Sequence, residues 1–358
     1  MSDGLEGVVA AETVLSHVDG EAGRLIVRGA DVDTLAGTTS FEAMARLLWD
    51  GLAPDSPDEA DLRRRLGTAR MAAWEKVPAL LPAAAGLPVV DGLRAGLATV
   101  ADGGGDDHVR ITAATAVFAA TLSRRMRGLE LLPPDPDLGH AADYLRLLRG
   151  APAAPEEVDA METYLVTVAD HGLNASTFTA RVIASTQAGV VSAVVGALCA
   201  LKGPLHGGAP GPVLDMLDEI GAEARIGPWI DAALAGKQRL MGFGHRVYRT
   251  RDPRADVLKS VVERLSSVSA GRIAFAAQVE RAVVAALAAR YPDRRLDTNV
   301  EFYTALALEA LQVPRDMFTP TFAVGRVLGW CGHVFEQVAG GRLIRPASTY
   351  VGPLPKAA

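Results

Sequence analysis

Thr39-Ser-Phe-Glu-Ala-Met-Ala-Arg-Leu-Leu-Trp-Asp-Gly51 is the stretch on which the fold class turns. Thr39 and Glu42 make a capping-box pattern, Phe41, Met44, Leu47 and Leu48 recur at helical spacing, and Gly51 stands where a helix should stop. Outward from this predicted helix the spacing repeats. It runs through Val158, Met161, Leu165 and Val168, then Val257, Leu258, Val261, Val262 and Leu265 after Asp252-Pro253, then Val279, Val283 and Leu287. Composition agrees: 49% of the 358 residues are hydrophobic but only 5% are aromatic, which favours packed helices over β-branched, aromatic strands. The expected class is all-α. One exception lies near the start, where Thr13 to Leu15 and Arg24 to Val27 flank Asp19-Gly20 and predict a small β-hairpin.

A net charge of −6 and a pI near 5.7 give no overall positive field for nucleic acid or anionic lipid, so any anionic ligand must be held by local basic residues. Cys199 and Cys331 are too few for a disulfide framework, and each sits in apolar sequence that suits a buried thiol in a reducing compartment. Met-Ser-Asp-Gly-Leu-Glu at the start is acidic and lacks the regions of a signal peptide, so a cytoplasmic location is expected. Val182 to Leu201 runs uncharged between Arg181 and Lys202, long enough to raise the transmembrane question. Its Ser185, Thr186, Gln187 and Ser192, and its Ala and Gly, instead predict a helix buried in a core or a subunit interface. Gly103 to Asp107, Pro133 to Asp137 and Ala151 to Pro155 read as exposed connections.

Three segments set an ionisable residue among glycines or at a helix boundary, where backbone can approach a ligand: His206 in Lys202-Gly-Pro-Leu-His206-Gly-Gly-Ala, His245 in Met241-Gly-Phe-Gly-His245-Arg-Val-Tyr, and Glu301 in Asp297-Thr-Asn-Val-Glu301-Phe-Tyr. Taken singly, each has a plainer reading, namely a surface histidine in a turn, a solvated charge run at Arg249 and Arg251, and an N-terminal helix carboxylate. The Val158 to Val168 helix also delivers Asp170, His171 and Asn174 to its end. Arg249, Arg251 and Arg254 suit a phosphate or a carboxylate. Val247 stands where a dinucleotide fingerprint needs its third glycine, and no Walker sequence occurs. Cys331-Gly-His333 lacks a second pair, so no metal site is expected, and no cofactor.

Together, Asp170-His-Gly-Leu-Asn-Ala-Ser-Thr177, Gly203-Pro-Leu-His-Gly-Gly208, Gly242-Phe-Gly-His-Arg-Val-Tyr248, Asp252-Pro-Arg254 and Asn299-Val-Glu-Phe-Tyr303 resemble successive citrate synthase motifs in the same order. The similarity extends from Leu5 to Pro346. It implies a homodimer of helical subunits, each with a large domain (1–206 and 313–358) and a small domain (207–312) that closes over acetyl-CoA and oxaloacetate. By the same resemblance His206 would hydrogen-bond the thioester carbonyl, His245 would polarise the keto group, and Glu301 would take the place of the family's catalytic aspartate. His171, Arg254 and Arg326 would hold oxaloacetate, Phe322 would line the pocket, and Arg345 would reach into the neighbouring subunit. Arg239, Leu240, Met241, Gly242, Phe243 and Gly244 would form the loop that receives CoA, a substrate here and not a cofactor.

The chain departs from the family pattern at Glu301, one methylene longer than aspartate, where reach and not charge is in question. It departs also at Pro210 and around Leu87 to Arg94, which lacks the usual His-Pro-Met step. The reaction so implied is citrate formation. The same residues would serve propionyl-CoA in a 2-methylcitrate synthase, and a non-catalytic relative that binds CoA or a dicarboxylate is the alternative from another class.

Overall fold

The computed structural model describes residues 3–5, 7–207, 210–244, 248 and 250–354, with side chains at all of these except 3, 210 and 266–270. His245 therefore lies outside the described residues. Near the start, β1 (Ser16–Asp19), β2 (Arg24–Val27) and β3 (Ala30–Asp31) form an antiparallel sheet in that order, with Ser16 opposite Val27 and Asp19 opposite Arg24. The predicted hairpin is present, but its first strand begins at Ser16 rather than Thr13, and a third strand extends it. The backbone before Ser16 is taken by the C-terminal helix, since the Val14 N–H donates to Glu336.

Helices make up the rest. They are α1 (Val32–Leu35), α2 (Phe41–Trp49), α3 (Glu59–Trp74), α4 (Val77–Ala83), α5 (Val89–Leu97), α6 (Asp107–Met126), α7 (His140–Arg149) and α8 (Pro155–Val168). After these come α9 (Ala175–Ala184), α10 (Val190–Leu201), α11 (Pro210–Ile220), α12 (Ile226–Ala235), α13 (Pro253–Arg264), α14 (Ser266–Arg290), α15 (Val300–Ala310) and α16 (Phe318–Gly340). The class is all-α, as expected. In α2 the cap falls one place later than the capping-box pattern suggests: the Ser40 hydroxyl accepts from the Ala43 N–H, and Phe41, Met44 and Leu48 turn into the core.

Two helices sit at the centre. Small residues along α6, from Ala113 to Ala120, are buried on every side and let α3, α5, α7, α10 and α16 approach. The other is α16, which packs against α2, α6, α8, α9 and α10. Within 210–310, α11 and α13 pack on α15, and α12 on α14, while α13 also meets α1 and α8.

The apolar stretch from Val182 to Leu201 is two helices rather than one. The α9 helix ends at Ala184 and α10 starts at Val190, with Gln187 (φ 63°) and Gly189 (φ 101°) turning the chain between them. A Cβ on Gly189 would fall 2.3 Å from Asp102, whose carboxylate caps α10 from another loop by accepting from Val191 N, Ser192 N and Ser192 Oγ. Among the described residues no helix is long and apolar enough to cross a membrane. Cys331 is buried as expected, but Cys199 is exposed on α10, because the helix turns that side away from the core.

The end of α8 reaches α16 only because α16 carries glycines at the crossing. A Cβ on Gly325 would lie 2.6 Å from Val168 Cγ2, and one on Gly329 would lie 2.4 Å from the Ala169 carbonyl oxygen and 2.6 Å from Asp170. Gly329→Ala is expected to destabilise the fold by roughly 1–3 kcal/mol, the usual cost of overpacking. Chemical denaturation checks this against Gly340→Ala, where a Cβ meets nothing within 4 Å.

Candidate active site

A cleft of about 1140 Å³ opens where α8 ends, where α9, α13 and α15 begin, and along one side of α16. His171, His206, Arg254, Glu301, Phe322 and Arg326 all line it. Residues 4–5 and 7–11 of the N-terminal segment form part of one wall.

His206 sits in the turn after α10. Its Nε2 lies 2.8 Å from Ser176 Oγ and 3.4 Å from the Ser176 backbone nitrogen. Ser176 is held in turn by Asn174, the N-cap of α9, whose Oδ1 accepts from Ser176 N, Ser176 Oγ and Thr177 N, and by the Trp330 indole, which donates to Ser176 Oγ at 3.1 Å. Burial, with Arg326 adding to it, lowers the His206 pKa to about 4, so the ring is neutral at pH 7.

His171 follows α8 and faces Tyr248, with Nε2 3.1 Å from the phenol oxygen. The Arg254 guanidinium lies 5.7 Å from the Tyr248 ring centroid. Asp252 grips Arg254 through both oxygens, Oδ1 to Nε at 3.0 Å and Oδ2 to Nη2 at 2.9 Å. The same carboxylate caps α13 and accepts from Val300 N at 3.1 Å, so it ties the start of α13 to the start of α15. Arg326 is 2% exposed on α16. Its Nε donates to the Val168 carbonyl, and its guanidinium stands 4.8 Å from the Phe322 ring centroid. Burial, with Arg254 adding to it, lowers the Arg326 pKa to about 10 against the opposing pull of Asp170.

Glu301 occupies the first turn of α15, which begins at Val300, ahead of the apolar run from Thr304. Asn299 caps this turn by accepting from Glu301 N at 2.9 Å. Glu301 Oε2 is buried and finds no hydrogen-bond partner among the described residues. Burial raises the carboxyl above the ordinary glutamate range, with Arg239 and Arg254 pulling the other way.

The loop from Arg239 to Gly244 is zipped to the segment before Glu301. Gly244 N donates to Asp297 O at 2.8 Å, Asn299 N to Gly242 O at 2.9 Å, and Asn299 Nδ2 to Gly244 O at 2.8 Å, while Phe243 pairs with Thr298 as an antiparallel bridge. Arg239 is exposed, Leu240 and Phe243 are buried, and none of Arg239, Leu240, Met241, Gly242, Phe243 or Gly244 lines the cleft. Arg345 is exposed on the extended chain after α16 and lines no part of the cleft of its own chain.

Sequence reasoning quoted Ser176, Tyr248 and Asp252 within motifs but assigned them no role, and it missed Trp330. Asp252 before Pro253 carried a readable N-cap signal. Trp330 carried none, because its partner is 154 residues away.

The chain's resemblances agree with this geometry. The family model described as "Citrate synthase, C-terminal domain" matches residues 4–347. Citrate synthase 2 of Bacillus subtilis is 37% identical across 98% of this chain and 95% of its own length, and a 2-methylcitrate synthase of Mycobacterium tuberculosis is 36% identical across 98% and 90%. Citrate synthase from Thermotoga maritima superposes with a TM-score of 0.87 at 36% identity, covering 100% of this chain and 98% of its own. The Thermoplasma acidophilum citrate synthase, in ternary complex with carboxymethyl coenzyme A and oxaloacetate, also gives 0.87, at 30% identity with coverages of 100% and 98%. With motifs, fold and relatives agreeing over nearly the whole chain, the protein belongs to the citrate synthase family and is an acyltransferase of that type.

Proposed function

We propose that this chain condenses acetyl-CoA with oxaloacetate and water to give citrate and CoA, using His206, Glu301 and the arginine pair Arg254 and Arg326. The observation that carries the proposal is the convergence, in one cleft, of an imidazole kept neutral, a carboxylate held above its ordinary range with a buried oxygen that has no partner among the described residues, and two buried guanidinium groups. A thioester methyl is too weak an acid for a carboxylate to deprotonate unaided. Glu301 takes that proton while a His206 ring N–H donates to the thioester oxygen, and the enolate charge is met by a donor already in place. His171, Arg254 and Arg326 hold the two carboxylates of oxaloacetate, which fixes the ketone for attack. The family resemblance assigns polarisation of the keto oxygen to His245. Water then cleaves the thioester of the condensed product.

The Thermoplasma complex, whose partner fold is shared at a TM-score of 0.87, supports CoA thioester and oxaloacetate as the ligands. CoA lies, on this reading, along the Arg239 to Gly244 loop, with 207–312 as the small domain that closes against 1–206 and 313–358; the packing of α11 to α15 on one another supports that division. A homodimer is supported by the half-exposed apolar side chains Val190 and Val195 on α10 and by Arg345, which stands on exposed chain where a neighbouring subunit can use it. A cytoplasmic location fits these substrates. The 36% identical 2-methylcitrate synthase favours propionyl-CoA as a second acyl donor.

Oxaloacetate-dependent thiol release with acetyl-CoA and propionyl-CoA in parallel tests the proposal, and a folded dimer inactive with every short acyl-CoA overturns it. Glu301→Gln is expected to lower kcat by about a hundredfold or more with substrate binding retained, a loss in the range of general-base catalysis. Burial raises the Glu301 carboxyl, and catalysis needs its charged form, so kcat/KM should fall on the acid side at a pH above the ordinary glutamate range. His206, with its pKa near 4, contributes nothing to that limb until the pH approaches 4. Arg345→Ala and His206→Ala should each be inactive alone, whereas mixed dimers should recover part of the activity. Absence of recovery would assign Arg345 to its own subunit.

A further inference from the structure

Behind the cleft, on the side of α16 that faces α9, three buried polar side chains, Arg181, His333 and Asp170, run in a line that ends at the half-buried Ser16. Arg181 on α9 points Nη1 at His333 Nδ1, 2.9 Å away. Arg181 is itself held by Glu336 and by Gln337 Oε1 at 3.0 Å. The His333 ring is fully buried, and its Nε2 lies 3.2 and 3.4 Å from the two carboxylate oxygens of Asp170. Ser16, at the start of β1, donates its hydroxyl to Asp170 Oδ2 and accepts the Gly172 N–H at 2.8 Å.

A guanidinium can only donate, so His333 Nδ1 must accept and the ring carries its proton on Nε2, aimed at Asp170. The direction of every bond in the line is thereby set. The residues at its end are consecutive: the Asp170 side chain and the Gly172 amide are both tied to Ser16, and His171 stands between them. Asp170 also neighbours the Arg326 guanidinium. Burial would raise the Asp170 carboxyl, but His333, Arg326 and Ser16 outweigh it and hold the group below its ordinary range, as a carboxylate.

We propose that His333, acting through Asp170 and Ser16, is a positioning residue that aims His171 and Arg326 at the 2-oxo dicarboxylate. None of the three lines the cleft, so their effect reaches the ligand only through His171 and Arg326. The proposal rests on the reading of the cleft as an oxaloacetate site, and it concerns recognition of that ligand rather than the thioester.

The test uses the full chain, with oxaloacetate affinity measured by calorimetry and turnover measured separately as thiol release. His333→Leu removes both the acceptor and the donor, whereas His333→Gln keeps an acceptor and a donor of similar reach. In the leucine variant, oxaloacetate affinity and its KM should weaken roughly tenfold or more, the size expected for one hydrogen bond to a charged group. The KM for acyl-CoA should change by less than about twofold, and the glutamine variant should recover most of the loss. Ser16→Ala at the other end of the line should show the same selective loss, and Ser16→Thr should restore it; this pair carries the test if His333→Leu does not fold. Unchanged oxaloacetate affinity in folded variants, equal losses for both substrates, or failure of both conservative variants overturns the proposal. A wild type that binds oxaloacetate but releases no thiol with any acyl-CoA would refute the assigned reaction and leave the relay to be judged by calorimetry alone.

Discussion

Arg326 carries a charge into the interior, and much of the site is arranged around the need to accommodate it. A desolvated guanidinium costs several kcal/mol unless its donors and its charge are met. Here Val168 takes one donor, Asp170 supplies opposite charge nearby, and the face of Phe322 lies beside the group. Placing Asp170 there requires α8 to end hard against α16, which is what Gly325 and Gly329 permit. The same cation contributes to keeping His206 neutral. A guanidinium suited to gripping a carboxylate thus also adds to the effect of burial in keeping that imidazole uncharged, so two groups that line the cleft share one electrostatic source.

Much of this was legible in the residues, and the exceptions have physical causes. Helix periodicity located α2, α8 and α13 because their buried faces recur every three or four residues whatever packs on them. The cap of α2 slipped by one place because Thr39 and Ser40 are both competent caps, and local pattern does not choose between them. The stretch from Val182 to Leu201 read as one helix because its break depends on Asp102, some ninety residues earlier in the chain. Candidate site residues were found where glycine and histidine stand together, a combination with few structural uses. Ser176, Trp330 and Arg181 escaped, since each owes its role to a partner distant in sequence, and Cys199 was misjudged because apolar neighbours along the chain say nothing about which side of a helix is covered.

Glu301 shows how a local departure can be absorbed. The residue sits at the start of α15, where Asn299 caps the turn and Asp252 holds the Val300 amide. These bonds fix the backbone without using the Glu301 carboxylate, so the extra methylene is taken up by a side chain whose far oxygen is buried and uncommitted among the described residues. Such an oxygen is costly to keep in a folded protein unless something uses it.

The ladder between Gly242, Gly244 and the residues from Asp297 to Asn299 has a mechanical consequence. Three hydrogen bonds, two of them forming a strand-like bridge, leave little slack between the glycine loop and the turn that carries Glu301. A displacement of that loop is passed on to the first turn of α15, so the two behave as jaw and handle of one tool: neither moves while the other lags.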